Sequence, residues 1–168
     1  MTTQALLVID VQKDVVGNAA KLEEVVANIN CLISDARESS VPVIWVQHSD
    51  EYLAKDTDGW QIVDELQPLP GEVKIFKTRP SLFEGTDLGK QLELLGTQSL
   101  IVTGAQTDYC VNATSNAGVE LGYQVTLVSD AHTTEDSETS TALEIIADKN
   151  ETFSAIGTVS KTAEVTFS

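Results

Sequence analysis

The fold is decided by residues 99–111, which read SLIVTGAQTDYCV. Residues 100–102 form an apolar run typical of a strand covered on both faces, and a helical pattern begins near Tyr109. The polar residues between them predict a strand-to-helix turn that carries Cys110. Backbone N–H groups at a helix N-terminus carry partial positive charge, so we expect this thiol to ionise readily. The position suits a nucleophile, although a cysteine of the core would also fit it.

Short apolar segments alternate with helical patterns along the rest of the chain. We predict strands over residues 6–9, 43–46, 73–77, 99–103, 125–128 and 152–158. Helices are predicted over residues 18–39, 88–95, 109–121 (with Asp108 as its N-cap) and from Asp136 or Ser137 to 146. This alternation predicts an α/β fold in three α-β-α layers, with a doubly wound, mostly parallel, six-stranded sheet. The length predicts that residues 1–168 form a single domain.

The chain carries 26 acidic and 10 basic residues, for a formal charge of −16. Such a charge repels nucleic acid and anionic membranes, so we expect neither as a partner. It either keeps the protein soluble or reflects tuning to a salty cell interior. No apolar run approaches the roughly 18 residues of a membrane span, and the first residues do not resemble a signal peptide. We therefore expect a cytoplasmic protein.

The chain has 2 cysteines, and their wide separation suggests neither a disulfide framework nor a zinc site. Cys31 lies inside the first helical pattern, which predicts that it belongs to the core. Cys110 is then the thiol available for chemistry.

Polar residues follow three of the predicted strands. Asp10 follows the first, His48 the second, and Cys110 lies in the turn after residues 99–103. The carboxyl ends of parallel strands meet at one edge of the sheet, where ligands bind. Lys77 alternates with residues 73 and 75, so its side chain should share their buried side, where an ammonium needs a partner. Taken singly, Asp10 could cap a turn and Lys77 could be solvated. Together with Cys110 they form an activated nucleophile suited to acyl transfer.

Three segments carry a family resemblance. They are LLVIDVQ (residues 6–12), KTRPSLF (77–83) and VTGAQTDYCV (102–111), which resemble the isochorismatase-like cysteine hydrolases in content, order and spacing. The likeness continues through residues 122–125 and 128–131, and so covers nearly the whole chain. The loop of residues 49–71 resembles the family least.

The resemblance implies a triad in which Cys110 is the nucleophile, Asp10 the general base and Lys77 the cation that stabilises the thiolate. It also implies a cis peptide bond between Ala105 and Gln106, which would direct the Gln106 and Cys110 N–H groups into an oxyanion hole. The implied reaction is cleavage of an amide C–N bond in a small molecule through a thioester, without a cofactor. A homo-oligomer, either a dimer or a tetramer, is expected as well.

The sequence departs from the nicotinamidases of this superfamily, which carry an Asp-x-His metal motif after the second strand and a further histidine. Here that stretch reads Gln-His-Ser-Asp over residues 47–50, and the other histidine is His132. His48 and Asp50 could bind a metal weakly, but zinc or iron needs a third ligand, so we predict no metal site. We expect the substrate pocket to be lined by side chains of loops near the triad: Gln12, His48, Tyr52, Trp60 and Phe83. Ordinary loop packing is the alternative for the three aromatic residues.

Three other functions are alternatives to amide hydrolysis. Isochorismatase itself cleaves a vinyl ether and depends less on a thiol, so the retained Cys110 favours an amide substrate. A protein that keeps the fold for binding or assembly is a second alternative, against which the intact Asp10, Lys77 and Cys110 argue. A redox-sensing thiol is a third, and it lacks an evident resolving cysteine.

Overall fold

The computed structural model describes residues 3–168, in which strands and helices alternate. The strands are β1 (Gln4–Ile9), β2 (Val43–His48), β3 (Val73–Lys77), β4 (Ser99–Ala105), β5 (Gln124–Thr133) and β6 (Thr158–Ser160). The α-helices are α1 (Lys13–Val16), α2 (Leu22–Glu38), α3 (Leu88–Leu94), α4 (Asn112–Glu120) and α5 (Ala142–Phe153), with a π-helical turn at Thr107–Val111 and a 3₁₀ turn at Thr162–Glu164. Within residues 3–168, no helix has the length and apolar character needed to cross a membrane.

The six strands form one parallel sheet in the order β3-β2-β1-β4-β5-β6. This confirms the predicted fold class. The chain builds the sheet outward from β1 in one direction and then from β4 in the other, so the strand order reverses between these two neighbours. The connections on either side of such a reversal diverge and leave a crevice beyond the carboxyl ends of the strands.

Apolar side chains fill both faces of the sheet. Leu6 and Val8 of β1 belong to the layer beneath α2, whereas Leu7 and Ile9 belong to the layer beneath α3, α4 and α5. Successive side chains of a strand point to opposite faces, so a strand buried on both sides must be apolar at every position. The uninterrupted apolar runs of the sequence therefore specify the central strands.

The prediction that Cys31 belongs to the core is wrong, because its side chain is exposed. Helix α2 buries Ile29, Leu32 and Ile33, and at 3.6 residues per turn position 31 points to the opposite side. The helix also begins later than predicted, after Lys21, which has a left-handed backbone with φ of 51°.

The last strand is also misplaced by the sequence. Residues 152–153 end α5, where Phe153 is buried, and β6 occupies only Thr158–Ser160. Helix α5 begins at Ala142 because Thr141 and Glu144 form a capping box there, rather than at Asp136 or Ser137. Residues 152–158, which read TFSAIGT, fit either a helix end or a strand, and only packing decides between them.

Candidate active site

The chain turns sharply at Asp10, directly after β1. Its φ of 50° lies in the left-handed region, which aspartate tolerates better than most residues because its side chain is short and polar. The Asp10 N–H donates to the Val46 carbonyl at 3.0 Å, which ties the turn to β2. The side chain is buried, with 1% of its surface exposed. A strand end in this conformation carries a carboxylate into the crevice.

Gly104 brings the end of β4 against β1. A Cβ at this position would meet the Ile9 carbonyl oxygen at 2.0 Å, and its φ of 119° is one that L side chains rarely adopt. One residue further on, the peptide bond between Ala105 and Gln106 is cis. Only glycine allows this close approach of the two strands next to the turn that carries Cys110.

Cys110 lies in the π-helical turn, not at the N-terminus of a regular α-helix. The Gln106 carbonyl accepts hydrogen bonds from the Tyr109 and Val111 N–H groups, at 3.2 Å each. It accepts none from the Cys110 N–H group. Asp108 does not cap the helix as predicted: its Oδ1 accepts a hydrogen bond from the Thr134 hydroxyl at 2.7 Å. The wider turn leaves Cys110 half-buried at the crevice.

Lys77 is the last residue of β3, and its side chain is fully buried on the side predicted by the alternation. Its Nζ lies 2.9 Å from Asp10 Oδ2, 3.0 Å from Cys110 Sγ, 3.1 Å from His48 Nδ1 and 3.1 Å from the Arg79 carbonyl oxygen. The structure thus brings Asp10, Lys77 and Cys110 together around one ammonium group. A buried charge with this many acceptors is stabilised where it stands.

The electrostatics of the cluster differ from the sequence expectation. Burial, together with the adjacent Asp10 charge, raises the pKa of the Cys110 thiol to about 12, against the opposing effect of Lys77. Burial also raises the pKa of the Asp10 carboxyl, again opposed by Lys77. The resting Cys110 side chain is therefore a thiol and not the readily ionised group expected from its place at a helix start, because desolvation outweighs the cation and the turn.

His48 joins this cluster from the end of β2. Its Nε2 lies 3.1 Å from Asp50 Oδ2 and its Nδ1 faces Lys77. Gln12 holds the His48 backbone from both sides: Gln12 Oε1 accepts from the His48 N–H at 2.8 Å, and Gln12 Nε2 donates to the His48 carbonyl at 3.0 Å. Gln12 is fully buried, so it supports the site from beneath rather than lining the pocket as predicted.

A cavity of about 510 Å³ opens above the cluster, a size typical of small-molecule sites. Of the side chains predicted to line the pocket, His48 and Tyr52 do so, together with Gln106, Asp10 and Cys110. The remaining lining residues were not predicted from the sequence: Asp14, Val15, Asp50, Leu53, Pro80, Tyr109 and Glu135. The available signal was position, since Asp50, Pro80 and Glu135 lie two or three residues beyond a strand end and Tyr109 adjoins Cys110.

Trp60 and Phe83 lie outside the cavity lining, contrary to the prediction. The Trp60 ring is buried 5.7 Å from the Phe76 ring, and its carbonyl accepts the Gln12 amide at 2.8 Å. Phe83 stacks on Tyr123 at 5.8 Å within the apolar layer beneath α3, α4 and α5. Both aromatic residues pack the fold, which is the alternative that the sequence left open.

Among the described residues, one group places three metal-ligating atoms within 4.8 Å of one another: Asp10, His48 and Cys110. The Lys77 ammonium lies among these atoms and hydrogen-bonds to each of them. A divalent ion would meet a buried positive charge at that point, so this donor set does not suit a resident metal.

A second buried histidine supports the π-helical turn from the other side. His132 Nδ1 lies 2.8 Å from the Thr107 hydroxyl, and its Nε2 lies 2.8 Å from Asn150 Oδ1. Asn150 Nδ2 donates to the Ser129 carbonyl at 3.1 Å, which directs the amide oxygen to the ring. His132 is thus a neutral Nε2–H imidazole, and burial lowers its pKa.

Comparison with known proteins places the chain in one family. The isochorismatase domain model matches residues 4–162. The chain is 36% identical over 138 residues to the uncharacterized isochorismatase family protein YddQ of Bacillus subtilis, with 77% of each chain covered. It is 36% identical over 139 residues to a streptothricin hydrolase of Streptomyces noursei, covering 79% of this chain and 50% of that protein. It is 30% identical to the ureidoacrylate amidohydrolase RutB of an Enterobacter species, covering 76% and 74%.

Solved structures agree. An isochorismatase from Pseudomonas putida superposes with a TM-score of 0.90 at 30% identity, covering 97% of this chain and 90% of that one. A cysteine hydrolase from Pseudomonas syringae superposes with a TM-score of 0.89 at 25% identity, covering 96% and 90%. Each of the three segments that carry the sequence resemblance supplies one member of the cluster: Asp10, Lys77 and Cys110. The chain belongs to the isochorismatase family of hydrolases.

Proposed function

We propose that the protein hydrolyses an amide C–N bond of a small molecule through a thioester at Cys110. The observation that supports this most is the shared ammonium: Lys77 Nζ lies 3.0 Å from Cys110 Sγ and 2.9 Å from Asp10 Oδ2, beside a small-molecule cavity. A thiol, a buried carboxylate and a buried cation in mutual contact are the groups that nucleophilic catalysis by cysteine requires.

Asp10 acts as the base. Its Oδ2 pairs with Lys77, whereas its buried Oδ1 has no hydrogen-bond partner among the described residues. An acceptor left unpaired in the interior is ready to take a proton. Because the resting thiol is protonated, proton transfer to Asp10 accompanies the attack of Sγ on the substrate carbonyl, and Lys77 stabilises the thiolate as it forms.

The remaining steps use the same groups. Attack forms the Sγ–C bond and an oxyanion, which accepts hydrogen bonds from the Gln106 and Cys110 N–H groups. The C–N bond then breaks while Asp10 returns its proton to the leaving nitrogen, giving the thioester and a free amine. Asp10 next takes a proton from water, whose oxygen attacks the thioester. The acid leaves, and Sγ regains the proton from Asp10. No cofactor enters these steps.

The charge of the cavity bears on the substrate. Apart from Asp10, its ionisable acidic side chains are Asp14, Asp50 and Glu135, and no lysine or arginine of residues 3–168 lines it. Lys77 lies buried beneath the cavity and is paired with Asp10, so a carboxylate on the substrate would meet like charge along the lining, whereas a neutral or positively charged amide would not. Of the relatives' named substrates, ureidoacrylate carries a carboxylate. We therefore expect this protein to prefer amides without one.

Three amides of equal chain length test the proposal: hexanamide, 6-aminohexanamide and the monoamide of adipic acid. Ammonia release should be fastest for the first two and slowest for the third. Cys110→Ala should abolish release, and the matched Cys31→Ser variant should leave it unchanged, because Cys31 lies exposed on α2. Turnover by Cys110→Ala, or a preference for the carboxylate substrate, contradicts the proposal.

A further inference from the structure

We propose that His48 and Asp50 are positioning residues of this site: Asp50 fixes the tautomer of His48, whose bare Nδ1 then holds the Lys77 ammonium against Cys110. The inference rests on the proposed function of the cluster and adds two residues to it. From the sequence, His48 was expected to line the pocket, and His48 with Asp50 was considered as a weak metal-binding pair and set aside.

Asp50 is itself fixed by the backbone. Its Oδ1 accepts hydrogen bonds from the Tyr52 N–H at 2.8 Å and the Leu53 N–H at 2.9 Å, which leaves Oδ2 facing His48 Nε2 at 3.1 Å. The bond from Tyr52 first, and then those from Leu53 and His48, lower the pKa of Asp50. A carboxylate only accepts, so the proton between the two side chains belongs to His48 Nε2.

The tautomer decides what Lys77 meets. With the hydrogen on Nε2, Nδ1 has a lone pair, and it lies 3.1 Å from Lys77 Nζ. A hydrogen on Nδ1 would instead point at the ammonium. Because Nζ has three hydrogens and is also in contact with Asp10, Cys110 and the Arg79 carbonyl, the acceptor at His48 fixes how those hydrogens are shared. His48 thus acts on the thiol only through Lys77.

The backbone of His48 does not depend on its ring, because Gln12 holds both its N–H and its carbonyl. Replacing the ring should therefore leave β2 and the fold in place. His48→Ala removes the acceptor and should lower kcat by about 10- to 100-fold, the effect of one lost hydrogen bond to a charged group. KM should change by less than about threefold on that account. His48→Asn, whose Oδ1 can stand near the position of Nδ1, should restore part of the lost kcat.

Asp50→Asn is the sharper variant, since it changes one atom. The Tyr52 and Leu53 N–H groups select the amide oxygen, so the amide NH₂ turns to His48 Nε2. His48 must then accept at Nε2 and carry its hydrogen on Nδ1, facing Lys77. We expect kcat to fall at least as far as in His48→Ala. In the His48→Asn background, which has no tautomer to reverse, Asp50→Asn should have little further effect on kcat.

Nitrogen-15 NMR of the two histidines reads the tautomer without any substrate. Wild-type His48 should show the Nε2–H form, and Asp50→Asn should convert it to Nδ1–H while His132 stays unchanged as the internal control. An Nδ1–H His48 in the wild type, or wild-type kcat in both His48→Ala and Asp50→Asn, overturns the inference. If no amide is turned over at all, the proposed function fails, and the NMR result still decides the role of Asp50.

Discussion

Two clusters of polar side chains flank the π-helical turn, and each contains a histidine. In the charged cluster, His48 lies between the Asp50 carboxylate and the Lys77 ammonium. In the neutral cluster, His132 lies between the Thr107 hydroxyl and the Asn150 amide. Both occupy the carboxyl edge of the same sheet, and they differ in the partners that surround the ring.

This difference indicates which cluster takes part in the proposed reaction and which one supports the structure. The charged cluster keeps a buried acceptor, Asp10 Oδ1, without a partner among the described residues. In the neutral cluster both ring nitrogens and both amide atoms of Asn150 are paired. A fully paired network stabilises one conformation, whereas an unpaired carboxylate oxygen beside a cavity is free to take a proton. We therefore assign reactivity to the first cluster and the holding of the turn to the second.

The largest expected effect comes from the charged cluster. Asp10→Asn removes the base and should lower kcat/KM for a neutral amide by roughly 100- to 10,000-fold. Asp14→Asn, which alters another carboxylate of the same cavity outside the Lys77 cluster, should change this rate far less. Steady-state kinetics on the two variants make the comparison.

Asp10→Asn also leaves a buried ammonium without its carboxylate, so thermal unfolding must accompany the kinetics. Cys110→Ala keeps the Asp10–Lys77 pair and should unfold near the wild-type temperature. Equal kinetic losses in the Asp14 and Asp10 variants would remove the distinction between the Lys77 cluster and the cavity rim.

The second prediction concerns Gly104, at the end of the strand that leads into the π-helical turn between the two clusters. Gly104→Ala should destabilise the fold by more than about 3 kcal/mol, since it combines a strained φ with a clash against the Ile9 backbone. Gly122→Ala is the matched control: its φ of 92° is strained too, but a Cβ there meets nothing within 4 Å. Chemical denaturation should show a much smaller loss for the control. Equal losses would mean that the contact with β1 is unimportant.

Acid should affect the charged cluster through its base. The Asp10 carboxylate must be unprotonated to act, and burial raises the pKa of this group above 3.8. The value of kcat/KM should therefore fall about tenfold per pH unit on the acid side, beginning at a higher pH than an ordinary carboxyl would give. The pH–rate profile of Asp14→Asn should keep this limb. A wild-type profile that stays flat to pH 4 would contradict the role of Asp10.

Acid should affect the neutral cluster through stability, and less strongly. Burial lowers the pKa of His132 below 6.5, so below about pH 6.5 the unfolded chain binds a proton at this residue more readily than the folded chain does. Its contribution to stability is then complete above pH 6.5 and is lost as the pH falls, by at most about 1.4 kcal/mol per unit. Urea unfolding from pH 7 to pH 5 should show a steeper loss in the wild type than in His132→Gln. Parallel curves would contradict a neutral His132.

The sequence predicts the central sheet and the triad for physical reasons. Strands buried on both faces require uninterrupted apolar runs, so β1, β2 and β4 can be identified from the sequence. Asp10 and the turn of Cys110 follow two of these strands and must therefore meet at one edge of the sheet. The alternation of buried and exposed positions along β3 predicts that Lys77 belongs to the site, because an ammonium on the buried side of a strand needs partners.

The parts that could not be predicted depend on packing between distant segments. The raised pKa of Cys110 results from burial, which no local pattern reports. The sequence predicts Gln12 as a pocket residue, yet its side-chain amide forms hydrogen bonds with backbone groups of His48 and Trp60. The partners of His132, Thr107 and Asn150, are 25 and 18 residues away, so the neutral cluster has no signature in the chain.

The central claim is that Cys110 forms a covalent bond to the substrate, and trapping that bond tests it most directly. The protein is mixed with 6-aminohexanamide, quenched in acid within its first turnovers, digested and examined by mass spectrometry. We predict that the peptide containing Cys110 gains the mass of the 6-aminohexanoyl group, while the peptide containing Cys31 does not. Turnover of this amide with no acyl group on Cys110 at any quench time, and undiminished in Cys110→Ala, would contradict the account.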